Sequence, residues 1–507
     1  MSSTRSSFTH VQHDSEVASK TGGCANLDDS LTYIKPPPKS LPADAKLLDE
    51  WLCDPENPRN WTTSRKWTSV AVVSLYLFVA PLANTLMAPG LSEIRARYEI
   101  ESPTVLAMTV CIFYLPYGIG PLILGPLSEM YGRKWVLHIG NLCCMIFHLG
   151  CAFAPSTAVL IIFRFLVGLS GGAPYACGSA VIGDLFAERE RAFALAMYHV
   201  VPVIGPMIGP IAGGFIAQTV GVQYCFFVLA GLTGLASLIG IPFLRETYAP
   251  LLKIRSGSHR PTDPEKVLRS REEINPPYRK LHYLWINFSR PLMLLSHSPV
   301  CLILSLYMAF INGIYLLLST TFSGLFHNTY GFSTGITGLM YLGVGIGGLL
   351  AAACIGTFST VVYNRLADKN GGVGEPEMRI PPMFFGAVCV PIGLFWFGWS
   401  AQAEMQWIMP VIGTGIFGFG LITTFLPIEL YLIDSFNYAA SALSAAFMFR
   451  SLLGFAFPLF GGQMFTALGF GGGSSLLGGV AILLGIFFPI YIYYRGATLR
   501  AKSDLNF

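Results

Sequence analysis

Residues 125–135 read Gly-Pro-Leu-Ser-Glu-Met-Tyr-Gly-Arg-Lys-Trp. The run before them, Pro103 to Leu124, is nearly free of charge, and so is the run after them, Val136 to Ala154. Glu129, Arg133 and Lys134 thus sit between two apolar runs, each long enough to cross about 30 Å of hydrocarbon. The pattern predicts two spanning helices joined by a short charged connector. Glycines at 125 and 132 permit the tight turn such a connector needs.

Composition agrees. Of 507 residues, 53% are hydrophobic and 12% charged, where a soluble domain carries about 25% charged residues. Mean hydropathy is +0.56. The chain reads as an all-α integral membrane protein. Its net charge of +4 gives no reason to expect a nucleic-acid partner. The eleven cysteines are scattered, with no CxxC pair, so neither a zinc site nor a disulfide framework is expected.

Working outward, residues 1–50 are polar and hold Pro36-Pro37-Pro38, the composition of a disordered tail. No apolar leader segment is expected there. In 51–67, Trp51, Trp61 and Trp67 alternate with charges, as in a segment lying at the membrane surface. Twelve apolar runs follow. Six fall in 68–244 and six in 299–494, separated by a polar loop over 245–298 and followed by a short tail over 495–507. Two six-helix halves joined by a charged loop are the build of transporters with internal repeats. With the N-terminus inside, 28 of the 32 Lys and Arg residues fall on the inner side and only Arg95 and Arg97 on the outer. That bias sets both termini, and the 125–135 connector, in the cytoplasm.

The other two basic residues lie within predicted spans. Arg164 sits in the fourth and Arg450 in the eleventh. A guanidinium at mid-bilayer costs at least about 2.5 kcal/mol, so each is expected to face a polar cavity or a partner, as a substrate or proton pathway residue. No Asp or Glu lies mid-span; Glu129, Asp184, Glu429 and Asp434 all fall toward the cytoplasmic ends. His199 precedes a glycine run and is a candidate proton-sensing group. In the fifth span Gly205, Gly209 and Gly213 are four apart and make one smooth helix face, joined by Pro206, Pro210 and Gly214. The face is read as close packing or as a hinge that controls which side a cavity opens to. Gly168 to Gly172 fits GxSxG and Gly343 to Gly348 fits GxGxxG, but both lie inside spans and read as small-residue packing.

These segments together resemble the major facilitator superfamily, and within it the fungal twelve-span drug:proton antiporters. Gly125 to Lys134 is similar to that superfamily's cytoplasmic loop motif between spans 2 and 3, with Glu129 where Asp is commonest. Arg164 with Gly168 resembles its fourth-span arginine motif. Gly205, Gly209, Pro210, Gly213 and Gly214 resemble its fifth-span antiporter motif. Asp54 to Trp61, Arg245 to Pro250, Pro376 to Arg379 and Tyr431 to Asp434 resemble the fungal branch.

The resemblance implies the major facilitator fold and a monomer in a lipid bilayer that exports small amphipathic compounds, such as drugs, toxins or fungal metabolites, by proton antiport. It implies no cofactor, metal or catalytic residue. Export of polyamines and uptake of a small nutrient remain alternatives. The plasma membrane is the expected location, with a vacuolar or vesicular membrane as the alternative. Glu129, Arg133 and Asp184 would form a cytoplasmic latch with Gly125, Gly132 and Lys134, and Glu129 would face the start of the eleventh helix near Asn437 to Ser441. Asn84, Tyr114, Tyr117, Arg164, Tyr307, Asn312, Phe425 and Arg450 are the candidate wall of a central cavity.

Overall fold

The computed structural model describes residues 54–186, 188–256, 277–436 and 439–502. Expectations about residues 1–50 and Trp51 lie outside them. Among the described residues the regular structure is helical, as a bilayer requires of any segment that must satisfy its own backbone.

Among the described residues, ten helical segments are long and apolar enough to cross a membrane. They are α1 (Thr63–Thr85), α2 (Pro103–Tyr131), α3 (Arg133–Ala152), α4 (Thr157–Leu185), α6 (Val222–Phe243), α7 (Pro299–Asn328), α8 (Thr334–Lys369), α9 (Pro376–Gln402), α10 (Ile408–Ser435) and a last segment, Ser441–Arg500. Glu188–Thr219 supplies α5. Gly469, at φ 70° and ψ 170°, breaks the last segment into α11 and α12. That gives twelve spans among the described residues.

Local chemistry sets several boundaries. The Ser156 hydroxyl accepts from the Val159 amide to cap α4, and Ser298 caps α7 from Cys301 with proline at the first helical position. The connector between α2 and α3 differs from expectation. Helix α2 runs through Gly125 to Tyr131, and α3 begins at Arg133, so the turn is Gly132 alone, at φ 101°. Gly125 is an ordinary helical residue. A single residue in the left-handed region, where glycine meets no Cβ penalty, reverses the chain.

Each half builds its own core. The C-terminal half packs Phe322, Phe326, Phe397 and Phe417 into one cluster. The N-terminal half holds two clusters, centred on residues such as Phe113, Phe226 and Tyr76. One residue crosses each way: Ala88 joins the C-terminal core, and Phe447 joins the N-terminal one. Large apolar side chains such as Ile139, Leu238 and Phe487 are exposed on the outside, a surface suited to lipid and not to water. Helix Pro277–His297 packs against α2 and α7, and so touches both halves.

Candidate functional site

The halves meet most closely on the face that carries Arg95. There the Gln218 side-chain oxygen accepts from the Gly335 amide at 2.9 Å, and Ser323 donates to the Pro89 carbonyl at 2.9 Å. Thr104 donates to the Leu459 carbonyl at 3.2 Å and accepts from Gln463 at 3.3 Å. Thr334 donates to Glu93. Gly338 lies against the Pro210 carbonyl and Gly214 against the Thr334 carbonyl, so α5 and α8 touch through backbone. A crevice of about 710 Å³ opens beside this seam, lined in part by Arg95, Thr320, His327 and Phe465.

Behind the seam lies the candidate site, a cavity of about 230 Å³ between the halves. It is smaller than the outer crevice, but both halves wall it and it contains the charge that a bilayer should exclude. Asn84, Tyr114, Tyr117, Asn312, Phe425 and Arg450 of the predicted wall are all there. Tyr175, Met207, Tyr315, Tyr341 and Phe447, which sequence reasoning did not name, complete much of the rest. Asn84 bonds to the Tyr114 hydroxyl. Among the lining residues Arg450 is the one that carries charge. Its guanidinium lies 4.8 Å from the Phe447 ring centre and 5.5 Å from that of Phe425, within cation–π range. Asn312 donates to the Arg450 backbone carbonyl at 3.1 Å.

Arg450 also has the carboxylate partner that the sequence did not reveal. Its Nη1 lies 4.0 Å from Glu429 Oε1 on α10. Twenty-one residues separate the two along the chain, and only the packing of α10 on α11 joins them.

Two predicted wall residues are elsewhere. Tyr307 is fully buried in the C-terminal core, its ring edge-on to Phe488 at 6.4 Å. Arg164 is fully buried and is not part of the cavity wall. Its Nη1 donates to the Ala83 carbonyl at 3.1 Å, Nε to Thr109 at 3.2 Å and Nη2 to Val110 at 3.0 Å. Ala83 lies in the last turn of α1. Thr109 and Val110 end the helix Pro103–Cys111, where α2 is interrupted before Tyr114. Carbonyls at helix ends have no intrahelical donor, and one guanidinium serves three of them. His199 lies on α5, and its side chain is outside the described residues.

The glycine face of α5 rests on α1. Gly205 faces Pro81 and Leu82, Gly209 faces Thr85, and Gly213 faces the Leu86 carbonyl. Pro206 and Met207 turn toward the cavity.

The opposite face carries the connector. Arg133 is buried, and its guanidinium lies 3.6 Å from Glu129 and 3.6 Å from Asp184, with Ser128 accepting from Nη1 at 2.5 Å. Thr247 donates to Asp184 at 3.3 Å. The Tyr248 ring centre lies 5.0 Å from the guanidinium; burial, together with Glu129, pushes its phenol above the ordinary range. All of these groups belong to the N-terminal half or to the segment just past α6. Glu129 is expected to face the start of the eleventh helix near Asn437 to Ser441; of that stretch, Asn437 and Tyr438 lie outside the described residues. Lys134 stays at the rim, 5.9 Å from the Trp135 ring.

One member of this cluster was missed. The buried carboxylate of Glu246, just past α6, accepts from the backbone amides of Arg133 at 2.9 Å, Lys134 at 3.2 Å, Thr247 at 3.1 Å and Tyr248 at 3.0 Å. It occupies the positive end of α3. The signal was present in Arg245 to Pro250, a segment that resembled the fungal branch. The C-terminal half has comparable pairs on the same face, Arg379 with Asp434 at 2.9 Å and Arg500 with Glu377 at 2.7 Å.

A family model described as the Major Facilitator Superfamily matches residues 73–458. The chain belongs to the major facilitator superfamily. It is similar to Efflux pump radE of Floropilus chiversii, 37% identical over 493 residues, covering 96% of this chain and 91% of that protein. It is also similar to MFS-type transporter penM of Penicillium rubens, 41% identical over 466 residues, covering 91% of each chain. Efflux pump vrtL of Penicillium aethiopicum is 36% identical over 453 residues and covered to 89% on both sides. Among solved structures, a partially occluded inward open conformation of the xylose transporter XylE from E. coli superposes with a TM-score of 0.61 at 16% identity, covering 85% of this chain and 98% of that one. Fold class and family are therefore as the sequence implied. In this superfamily member the cavity lies between the two six-helix halves, where both contribute walls.

Proposed function

We propose that the chain exports small, largely uncharged amphipathic compounds by proton antiport, with the two halves rocking about the central cavity. The observation that carries this reading is the cavity itself. It is small, aromatic, walled by both halves, and sealed toward the Arg95 face by hydrogen bonds that run from one half to the other. A site of that kind changes the face it opens to when the seal is broken and another forms.

The cavity chemistry narrows the cargo. Its one charged wall residue, Arg450, is matched by Glu429, which leaves the site near neutral. No carboxylate lines the wall among the described residues, which weighs against polyamines. Two amides, Asn84 and Asn312, are few for a sugar. The relatives named as efflux pumps support outward transport. The excess of Lys and Arg on the Arg133 face supports its being cytoplasmic. On that face Glu129, Arg133, Asp184 and Glu246 act as a latch that steadies the N-terminal half, not as a binding site. The plasma membrane is the location that export from the cell requires.

The test is flux in proteoliposomes. A panel of radiolabelled uncharged, cationic and anionic amphipaths should show faster transport of the uncharged members when a proton gradient opposes their movement. Flux indifferent to the gradient contradicts the antiport reading.

A further inference from the structure

A thin partition separates the central cavity from the Arg133 face. Tyr175 of α4 and Phe447 of α11 stack across the two halves, with ring centres 3.9 Å apart and planes at 17°. Tyr117 meets Phe447 edge-on at 5.2 Å. Beyond the stack is a second, smaller chamber of about 60 Å³, lined by Tyr175, Phe447, Arg450 and Glu429 with apolar Met308, Ile433, Leu443 and Ala446. Tyr175, Phe447 and Arg450 thus line both chambers, while Glu429 lines only the one toward the Arg133 face. The Glu429 side chain is 32% exposed and that of Arg450 is 20% exposed.

We propose that Glu429 carries the coupled proton and that Arg450 transmits its charge state to the cavity. This rests on the antiport reading above and assigns its proton site. Among the described residues, the charged and titratable groups that face Glu429 from neighbouring elements are Arg450 on α11 and the Tyr175 hydroxyl on α4. The remaining walls of the small chamber are apolar.

The coupling follows from desolvation. With Glu429 ionised, Arg450 has its counter-ion, and an uncharged compound filling the cavity removes water from a compensated pair. Once Glu429 binds a proton, Arg450 stands beside the cavity without a partner. A compound that strips water from it then pays the full cost of desolvating a lone cation. Proton and uncharged cargo therefore exclude one another, which is the condition for antiport. An anionic compound has the opposite sign, because it replaces the lost carboxylate. The same geometry thus predicts that anions are not exchanged against protons.

The experiment uses the full chain in proteoliposomes with radiolabelled cycloheximide, an uncharged amphipath, as the probe. Flux is measured with and without a proton gradient for wild type, Glu429→Gln and Glu429→Asp. For wild type, stimulation of about fivefold or more is expected, equivalent to a coupling of about 1 kcal/mol. Glu429→Gln, which leaves Arg450 without its counter-ion as protonation does, should slow gradient-free exchange by about fivefold or more and lose the stimulation, and Glu429→Asp should restore both with a displaced pH midpoint. Equal stimulation in wild type and Glu429→Gln overturns the assignment and leaves the antiport reading standing. If Glu429→Gln loses exchange altogether, Glu429→Asp decides: an unmoved pH midpoint overturns the assignment. A wild-type flux that ignores the gradient overturns the antiport reading itself, and this assignment with it.

Discussion

The carboxylate of Glu246 accepts from the backbone amide of Arg133 at 2.9 Å, so the end of α6 holds the beginning of α3. The same carboxylate takes three further amides and is 7% exposed. Removing it leaves buried donors unmet and takes negative charge from a helix N-terminus. Glu246→Ala should cost about 2–3 kcal/mol, and Glu246→Gln, which keeps one acceptor oxygen, less. Denaturant unfolding gives the stability, and hydrogen exchange at the amides of Arg133 and Lys134 gives the locality. Unchanged exchange there would contradict the role.

Arg164 should behave differently from Arg450. Arg164→Ala orphans three buried carbonyls that end two helices, and a loss of about 3 kcal/mol or more is expected. Arg164→Lys, with a compact ammonium in place of the fork, should recover only part of it. Yield and thermal unfolding should fall together in both variants. Arg450→Gln should leave stability nearly unchanged and alter cargo selectivity. A change of selectivity in a fully stable Arg164→Ala would instead place that residue in the pathway.

The glycines of α5 separate packing within a half from packing between halves. A Cβ on Gly213 would overlap the Leu86 carbonyl of the neighbouring chain segment, whereas one on Gly205 would sit 3.1 Å from the Leu82 amide nitrogen. Gly213→Ala should therefore cost about 1–3 kcal/mol and Gly205→Ala clearly less. A Cβ on Gly214 would come 2.6 Å from the Thr334 carbonyl across the seam. Gly214→Ala should push the halves apart on the Arg95 face, which shows as faster hydrogen exchange at Gly335 with little change in unfolding.

The architecture was legible because a bilayer imposes one demand on every span, and apolar length with the Lys and Arg bias expresses it directly. The connector was less so. Gly125 and Gly132 look alike in sequence, yet the helix runs through the first and turns at the second, since a helix in lipid continues until one residue leaves it. Cavity residues were readable by type but not by direction. Tyr307 and Asn312 are five positions apart, which is about 140° around a helix, and so Asn312 meets the cavity while Tyr307 enters the core. Arg164 looked like a pathway residue because a sequence does not show where helix ends leave carbonyls without donors. The pairing of Glu429 with Arg450 and the stack of Tyr175 on Phe447 arise from helix crossings that carry no spacing signature.

The central claim is that the halves must part on the Arg95 face for transport to occur. Thr104 of α2 and Gln463 of α11 are hydrogen-bonded across that seam at 3.3 Å. Cross-linking Thr104→Cys to Gln463→Cys with a short bifunctional thiol reagent, with each single variant as control, tests the claim most directly. The expected result is that flux in proteoliposomes stops in the cross-linked pair and persists in the single variants. Flux at the wild-type rate through fully cross-linked protein would contradict alternating access through this cavity.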